Sequence, residues 1–163
     1  MLIKTVYIDT SIVTYLAGRP SRYLLIAACQ QATRDWWQEQ RNRYELFTSQ
    51  VVVAEAAGGE PEAAKDRLVY LEGIPELVLT AEVRDLARAL VDQGALPPKA
   101  EADALHIAVT AVHHIDLLLT WNCRHIDNPS RKPMVRSVCA AAGYPCPEIC
   151  TPIEALEALS DEE

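Results

Sequence analysis

Asp9, Glu55, Asp103 and Asn122 are the side chains of this 163-residue chain whose types and positions could do chemistry. Asp9 follows Thr5–Ile8, a β-branched run that reads as a strand, and Asn122 stands just past Leu117-Leu118-Leu119, a run suited to a strand buried on both faces. Asp103 falls in the first turn of the helix leading into that second run, and Glu55 on a helix after another strand. In open α/β sheets, ligands are handled beyond the carboxyl ends of the strands. Carboxylates from distant positions gathered at one rim form a hard, oxygen-rich pocket of the kind Mg²⁺ or Mn²⁺ takes. Such an ion activates a water and offsets charge on a phosphodiester in the transition state.

Each residue also has a plainer reading. Asp9 suits a turn or a helix cap, and Asp103 is well placed simply as a first-turn acid facing the helix dipole. Glutamates on helices are usually solvated, and Glu60 and Glu62 are rivals to Glu55, although they flank the Gly58-Gly59 stop. Glu101 is a first-turn charge close enough to Asp103 to assist a metal. His106, one turn beyond Asp103, reads as a hydrogen-bonded packing residue, and His113-His114 suit the electron-rich end of a helix. Cys123-x-His125 with Cys139, Cys146 and Cys150 matches no familiar zinc spacing.

The elements that must position these groups alternate between strand and helix. Asp9-Thr10-Ser11 turns from strand one into a helix over Ile12–Leu16, with Thr10 or Ser11 as its cap and Gly18-Arg19-Pro20 as its end. Ser21–Tyr44 reads as a long helix or helical pair carrying Trp36-Trp37, and Glu45–Ser49 as strand two. Adjacent helical positions point about 100° apart, so one tryptophan is expected inside and one at an interface. Gln50–Ala57, capped by Ser49, and Pro61–Glu72 read as helices, and Leu77–Leu79 as a short strand. Thr80 caps a helix through Asp92. Pro97-Pro98 precedes the central helix, whose Leu105, Ala108, Val109 and Val112 make an apolar face. Ser130–Ala142 is helical to Gly143, Glu148–Thr151 an edge strand, and Pro152 opens a last helix through Leu159. The pattern predicts an α/β fold with a mostly parallel sheet.

Half the residues are apolar, enough for one cored domain over residues 1–159, with 160–163 as a frayed tail. No stretch reaches eighteen apolar residues and no signal-peptide pattern opens the chain, so a cytosolic protein without membrane contact is expected. Five cysteines, an odd count, fit reduced thiols. The net charge of −8 argues against field-driven attraction to nucleic acid, so an RNA ligand needs metal ions or a local basic patch. Arg124, Arg131, Lys132 and Arg136 are the densest such stretch, able to hold RNA phosphates or simply to face solvent.

YIDTSIVTYL, SQVVVAEAAGGEPEAAKDRL, DALHIA, LLLTWNCRHIDNP and ICTPIEAL together resemble the PIN-domain ribonucleases, particularly the VapC-like toxins of type II toxin–antitoxin pairs. DALHIA with LLTWN at this spacing is the specific part. The resemblance covers nearly the whole chain and implies a three-layer α/β/α sandwich with strand order 3-2-1-4-5. It implies that Asp9, Glu55 and Asp103 are the metal-site acids, with Ser11 a hydroxyl beside the first. Asn122 departs from the commonest pattern, which has a fourth acid there. An amide ligates through oxygen without bringing charge, so a second ion binds more weakly, and Asp127 a turn further on is a candidate compensator. The implied function is a Mg²⁺- or Mn²⁺-dependent endoribonuclease acting on RNA, neutralised by an antitoxin protein and homodimeric. The alternative is a non-catalytic PIN-like module that binds RNA or protein. A receiver or phosphotransferase of similar layout lacks its acids: Ser11 stands where a D-x-D motif would need its second.

Overall fold

The computed structural model describes residues 2–160, so residues 161–163 of the expected frayed tail lie outside the described residues, and Ser160 ends a helix. Five strands, β1 (Lys4–Ile8), β2 (Tyr44–Ser49), β3 (Glu76–Leu77), β4 (Leu117–Leu119) and β5 (Glu148–Cys150), form one sheet in the order β3-β2-β1-β4-β5. All four pairings are parallel, with Tyr7 opposite Phe47 on one side and Leu118 on the other. Eight α-helices are described: α1 (Thr10–Ala17), α2 (Leu24–Glu39), α3 (Gln50–Ala56), α4 (Pro61–Leu71), α5 (Ala81–Asp92), α6 (Glu101–Val112), α7 (Lys132–Ala141) and α8 (Pro152–Ser160). α5 lies against α6 and α7, and α2 against α1 and α8. The helices are the outer layers of a three-layer α/β/α sandwich, as expected. Among the described residues no helix is long and apolar enough to cross a membrane.

The centre of the sheet is buried because both its neighbours and both its faces are covered. Val6, Tyr7, Ile8, Leu118 and Leu119 are sealed from solvent in one hydrophobic cluster that runs on to Ala155. This is why β4 reads as an unbroken apolar run and why Val6, Tyr7 and Ile8 of β1 are all buried.

Several boundaries differ from expectation for local reasons. Asp9, not Thr10 or Ser11, caps α1: its carboxylate accepts the Ser11 N–H at 2.9 Å and the helix starts at Thr10. Ser49 precedes α3 but makes no side-chain cap bond, since its hydroxyl is engaged by Tyr7 at 2.7 Å. The stretch Ser21–Tyr44, read as a long helix or a helical pair, is α2 followed by a single 3₁₀ turn, Arg41–Arg43, and β2 begins one residue early. β3 covers Glu76–Leu77 rather than Leu77–Leu79: it pairs only with Thr48 and Ser49 at the tip of β2, and Val78 is exposed. α6 is buried almost all round, with Ala104 and His106 through Ala111 inside. Leu105 and Val112, expected on the apolar face, lie at its edges. A helix held between a sheet and α5 has no solvent face to mark with polar residues. Trp36 is fully buried. Trp37 is half-buried, edge-on to Tyr70 at 5.7 Å and under the Arg41 guanidinium at 4.6 Å.

Candidate metal centre

The carboxyl ends of β1 and β4 are stitched together around Asp9. One carboxylate oxygen accepts the Ser11 N–H at 2.9 Å and the Ser11 hydroxyl at 2.5 Å; the other accepts the Thr120 hydroxyl at 2.6 Å. Ser11 Oγ in turn accepts the Trp121 N–H at 2.8 Å, and Thr120 Oγ1 accepts the Asn122 N–H at 2.9 Å. Asp9 is therefore locked in one rotamer by residues that follow β1 and β4, at the point where the sheet order reverses. It is almost entirely buried. Burial pushes its pKa above the ordinary Asp range, against the pull of His106, Ser11 and Thr120.

Glu55 reaches the same region from α3. Its Oε1 accepts from Thr10 Oγ1 at 3.0 Å and lies 2.7 Å from His106 Nε2. The other ring nitrogen of His106 is 2.8 Å from the Tyr7 hydroxyl, which continues to Ser49 Oγ at 2.7 Å. Burial alone would lower the His106 pKa, but the Glu55 hydrogen bond and the charges of Asp9, Glu55 and Asp103 raise it. In Glu55 burial opposes, and the His106 bond and charge outweigh it, so its carboxyl is held below the usual range. One imidazole thus feels all three acids, and His106 is the hydrogen-bonded buried residue expected, with the added task of orienting Glu55.

Asp103, at the start of α6, is gripped from the turn after β4. Its Oδ1 accepts from Asn122 Nδ2 at 3.0 Å and its Oδ2 lies 2.9 Å from His125 Nδ1. Asn122 therefore turns its amide nitrogen, not its oxygen, toward Asp103. Asp127, the candidate compensator, has its carboxylate engaged by Lys132 at 2.6 Å. Glu101 lines a different groove, with Arg84, Arg88 and Leu105. Glu60 caps α4, accepting the N–H groups of Glu62 and Ala63. Of the basic stretch, Lys132 serves Asp127 and Arg131 reaches the Ala95 carbonyl at 3.3 Å; Arg124 and Arg136 are exposed.

Thr120, Thr10, His125 and Tyr7 were not singled out from the sequence as parts of the site. A hydroxyl directly after a buried apolar strand was the available signal for Thr120; nothing local marks the other three.

The donor set fits a hard divalent cation: three carboxylates and hydroxyls, with no thiolate among them. Among the described residues no three His, Cys, Asp or Glu side chains are packed tightly enough to enclose an ion unaided. Each acid is instead turned to a protein donor, and binding an ion exchanges some of those donors for the cation. A carboxylate kept in the interior against its hydration preference has the most to gain from that exchange.

A stability prediction follows from Asp9. Its folded pKa is above the unfolded value near 3.8, so the folded state holds the proton more tightly and stability falls as pH rises through that interval. Asp9→Asn removes the ionisation. Without divalent ions, the thermal midpoint of Asp9→Asn should exceed that of the wild type at pH 7, the gap closing as the pH is lowered toward 3.8. An equal or lower midpoint at pH 7 contradicts this.

The family model of the PIN domain matches residues 6–127. Among solved structures, the chain is similar to Mycobacterium tuberculosis VapC20, described as a Sarcin-Ricin loop cleaving toxin, with a TM-score of 0.57 and 16% identity over 86% of this chain and 96% of that one. No significant match is found among curated proteins.

Proposed function

This chain belongs to the PIN domain family, and from that premise we propose that it is a Mg²⁺- or Mn²⁺-dependent endoribonuclease, the toxin of a toxin–antitoxin pair. The observation that supports the reading is that Asp9 lies where β1 and β4 meet, that Glu55 bonds the buried His106 at 2.7 Å, and that the charges of Asp9, Glu55 and Asp103 all act on that imidazole. In this reading the three acids hold the ion, which when bound supplies Lewis acidity at the phosphodiester and an activated water for in-line attack. Ser11 and Thr120 keep Asp9 in its rotamer, and His106, braced by Tyr7, keeps Glu55 in its own. The substrate is RNA, and since the structural neighbour cuts the sarcin–ricin loop, a structured ribosomal stem-loop is the first substrate to offer. An antitoxin protein, homodimerisation and a place in the cytosol belong to the same reading.

The purified chain should cleave such RNAs with Mn²⁺ and cease on addition of EDTA, with activity restored by excess Mn²⁺. Cleavage that survives chelation, or is equal in Asp9→Asn, defeats it. The alternative, a non-catalytic RNA- or protein-binding module, is favoured by one observation: the amide nitrogen of Asn122 faces Asp103. Calorimetry separates the two, because the module reading requires no Mn²⁺ binding that depends on Asp103.

A further inference from the structure

The orientation of the Asn122 amide is decided by its neighbours. Its Oδ1 accepts the backbone N–H of His125 at 3.0 Å, and a backbone N–H can only donate. The nitrogen end must then be the one facing Asp103 Oδ1 at 3.0 Å. Turning the amide over would break both bonds and set two acceptors against each other. The backbone of Asn122 is equally committed, donating to Thr120 Oγ1 and accepting from the N–H groups of Ile126 and Asp127 at 3.2 and 2.8 Å. From the same turn, His125 Nδ1 takes the second oxygen of Asp103 at 2.9 Å.

Resting on the reading of this site as a metal-dependent nuclease, we propose that Asn122 and His125 are positioning residues rather than ligands, clamping Asp103 by both oxygens and restricting the site to a single divalent cation. Two-metal sites place their ions about 3.5–4 Å apart and need oxygen donors on both sides of the shared carboxylates. Here the approach to Asp103 Oδ1 is taken by the Asn122 N–H₂ group, whose positive end repels a cation. Asp103 keeps its remaining lone pairs for the one cation that it would share with Asp9 and Glu55 in the proposed reading. Outer partners that orient a ligating carboxylate commonly contribute 10- to 100-fold to metal affinity, which is the part assigned to His125.

The metal-free full-length protein is titrated with Mn²⁺, and bound ions are counted by calorimetry and by electron paramagnetic resonance. The wild type should bind one ion per chain with the spectrum of an isolated centre. Asn122→Asp keeps an acceptor for the His125 N–H, so the turn survives, and puts an oxygen where the N–H₂ stood; it should bind two ions, with a spin-coupled spectrum. His125→Ala should still bind one, about tenfold more weakly. Two ions in the wild type, a folded Asn122→Asp that binds only one, or unchanged affinity in His125→Ala overturns the proposal while leaving the nuclease reading intact. A wild type that binds no Mn²⁺ defeats both.

Discussion

Asp103→Asn should slow RNA cleavage by at least about a thousandfold, equivalent to about 4 kcal/mol of activation barrier. The substitution removes charge and little else. Its amide oxygen still accepts from Asn122 Nδ2, and its nitrogen can meet His125 Nδ1 in the other tautomer, so both contacts of the native carboxylate have replacements. Loss of activity with an unchanged melting transition would therefore report the loss of a cation ligand, not of the fold. The measurement is the initial rate of cleavage of a defined stem-loop at saturating Mn²⁺. A variant within about tenfold of the wild type, a barrier change of only about 1.4 kcal/mol, would remove Asp103 from the proposed metal set.

Trp36→Ala should cost about 3–5 kcal/mol of folding stability, the range for emptying a large aromatic site in a close-packed core. Trp37→Ala should cost about 1–2 kcal/mol, because its ring contributes an edge-on contact with Tyr70 and a stacked guanidinium rather than core volume. Trp36 also carries a buried indole N–H with no hydrogen-bond partner among the described residues. Trp36→Phe fills most of the same space and discards that orphaned donor, so its loss should be well below that of the alanine variant. Urea unfolding of the three variants gives the ranking directly, and a Trp37→Ala loss equal to that of Trp36→Ala would contradict the packing described.

Much of the fold was legible because its signals are local. Three consecutive leucines between turn residues announce a strand covered on both faces, Thr80 announces the start of α5, and proline and glycine punctuate most of the other helices. The strand order came from the resemblance carried by DALHIA and LLTWN, since pairing partners far apart in sequence leave no periodic trace. What stayed hidden depends on a third dimension. Ser49 looks like a cap until Tyr7 arrives from β1 to take its hydroxyl. Asn122 looks like an oxygen donor until the His125 N–H fixes which end of the amide faces the acids. Lys132 looks like a phosphate contact until Asp127 folds back on it. β3 was misplaced because a two-residue strand has too few side chains to show alternation.

The bond between Asp9 and Thr120 spans 111 positions of the chain. At ribosomal rates of 5–20 residues per second, on the order of 5 to 20 seconds separate the emergence of its two ends. Throughout that interval β1 lacks its neighbour β4, and Asp103 lacks the turn that grips it. A chain cut short before Leu117 would carry all three acids and the partners of Glu55, but Asp9 would lack Thr120 and Asp103 would lack both of its partners. The rim that joins β1 to β4 can therefore close only once Thr120 and the turn after it have been made.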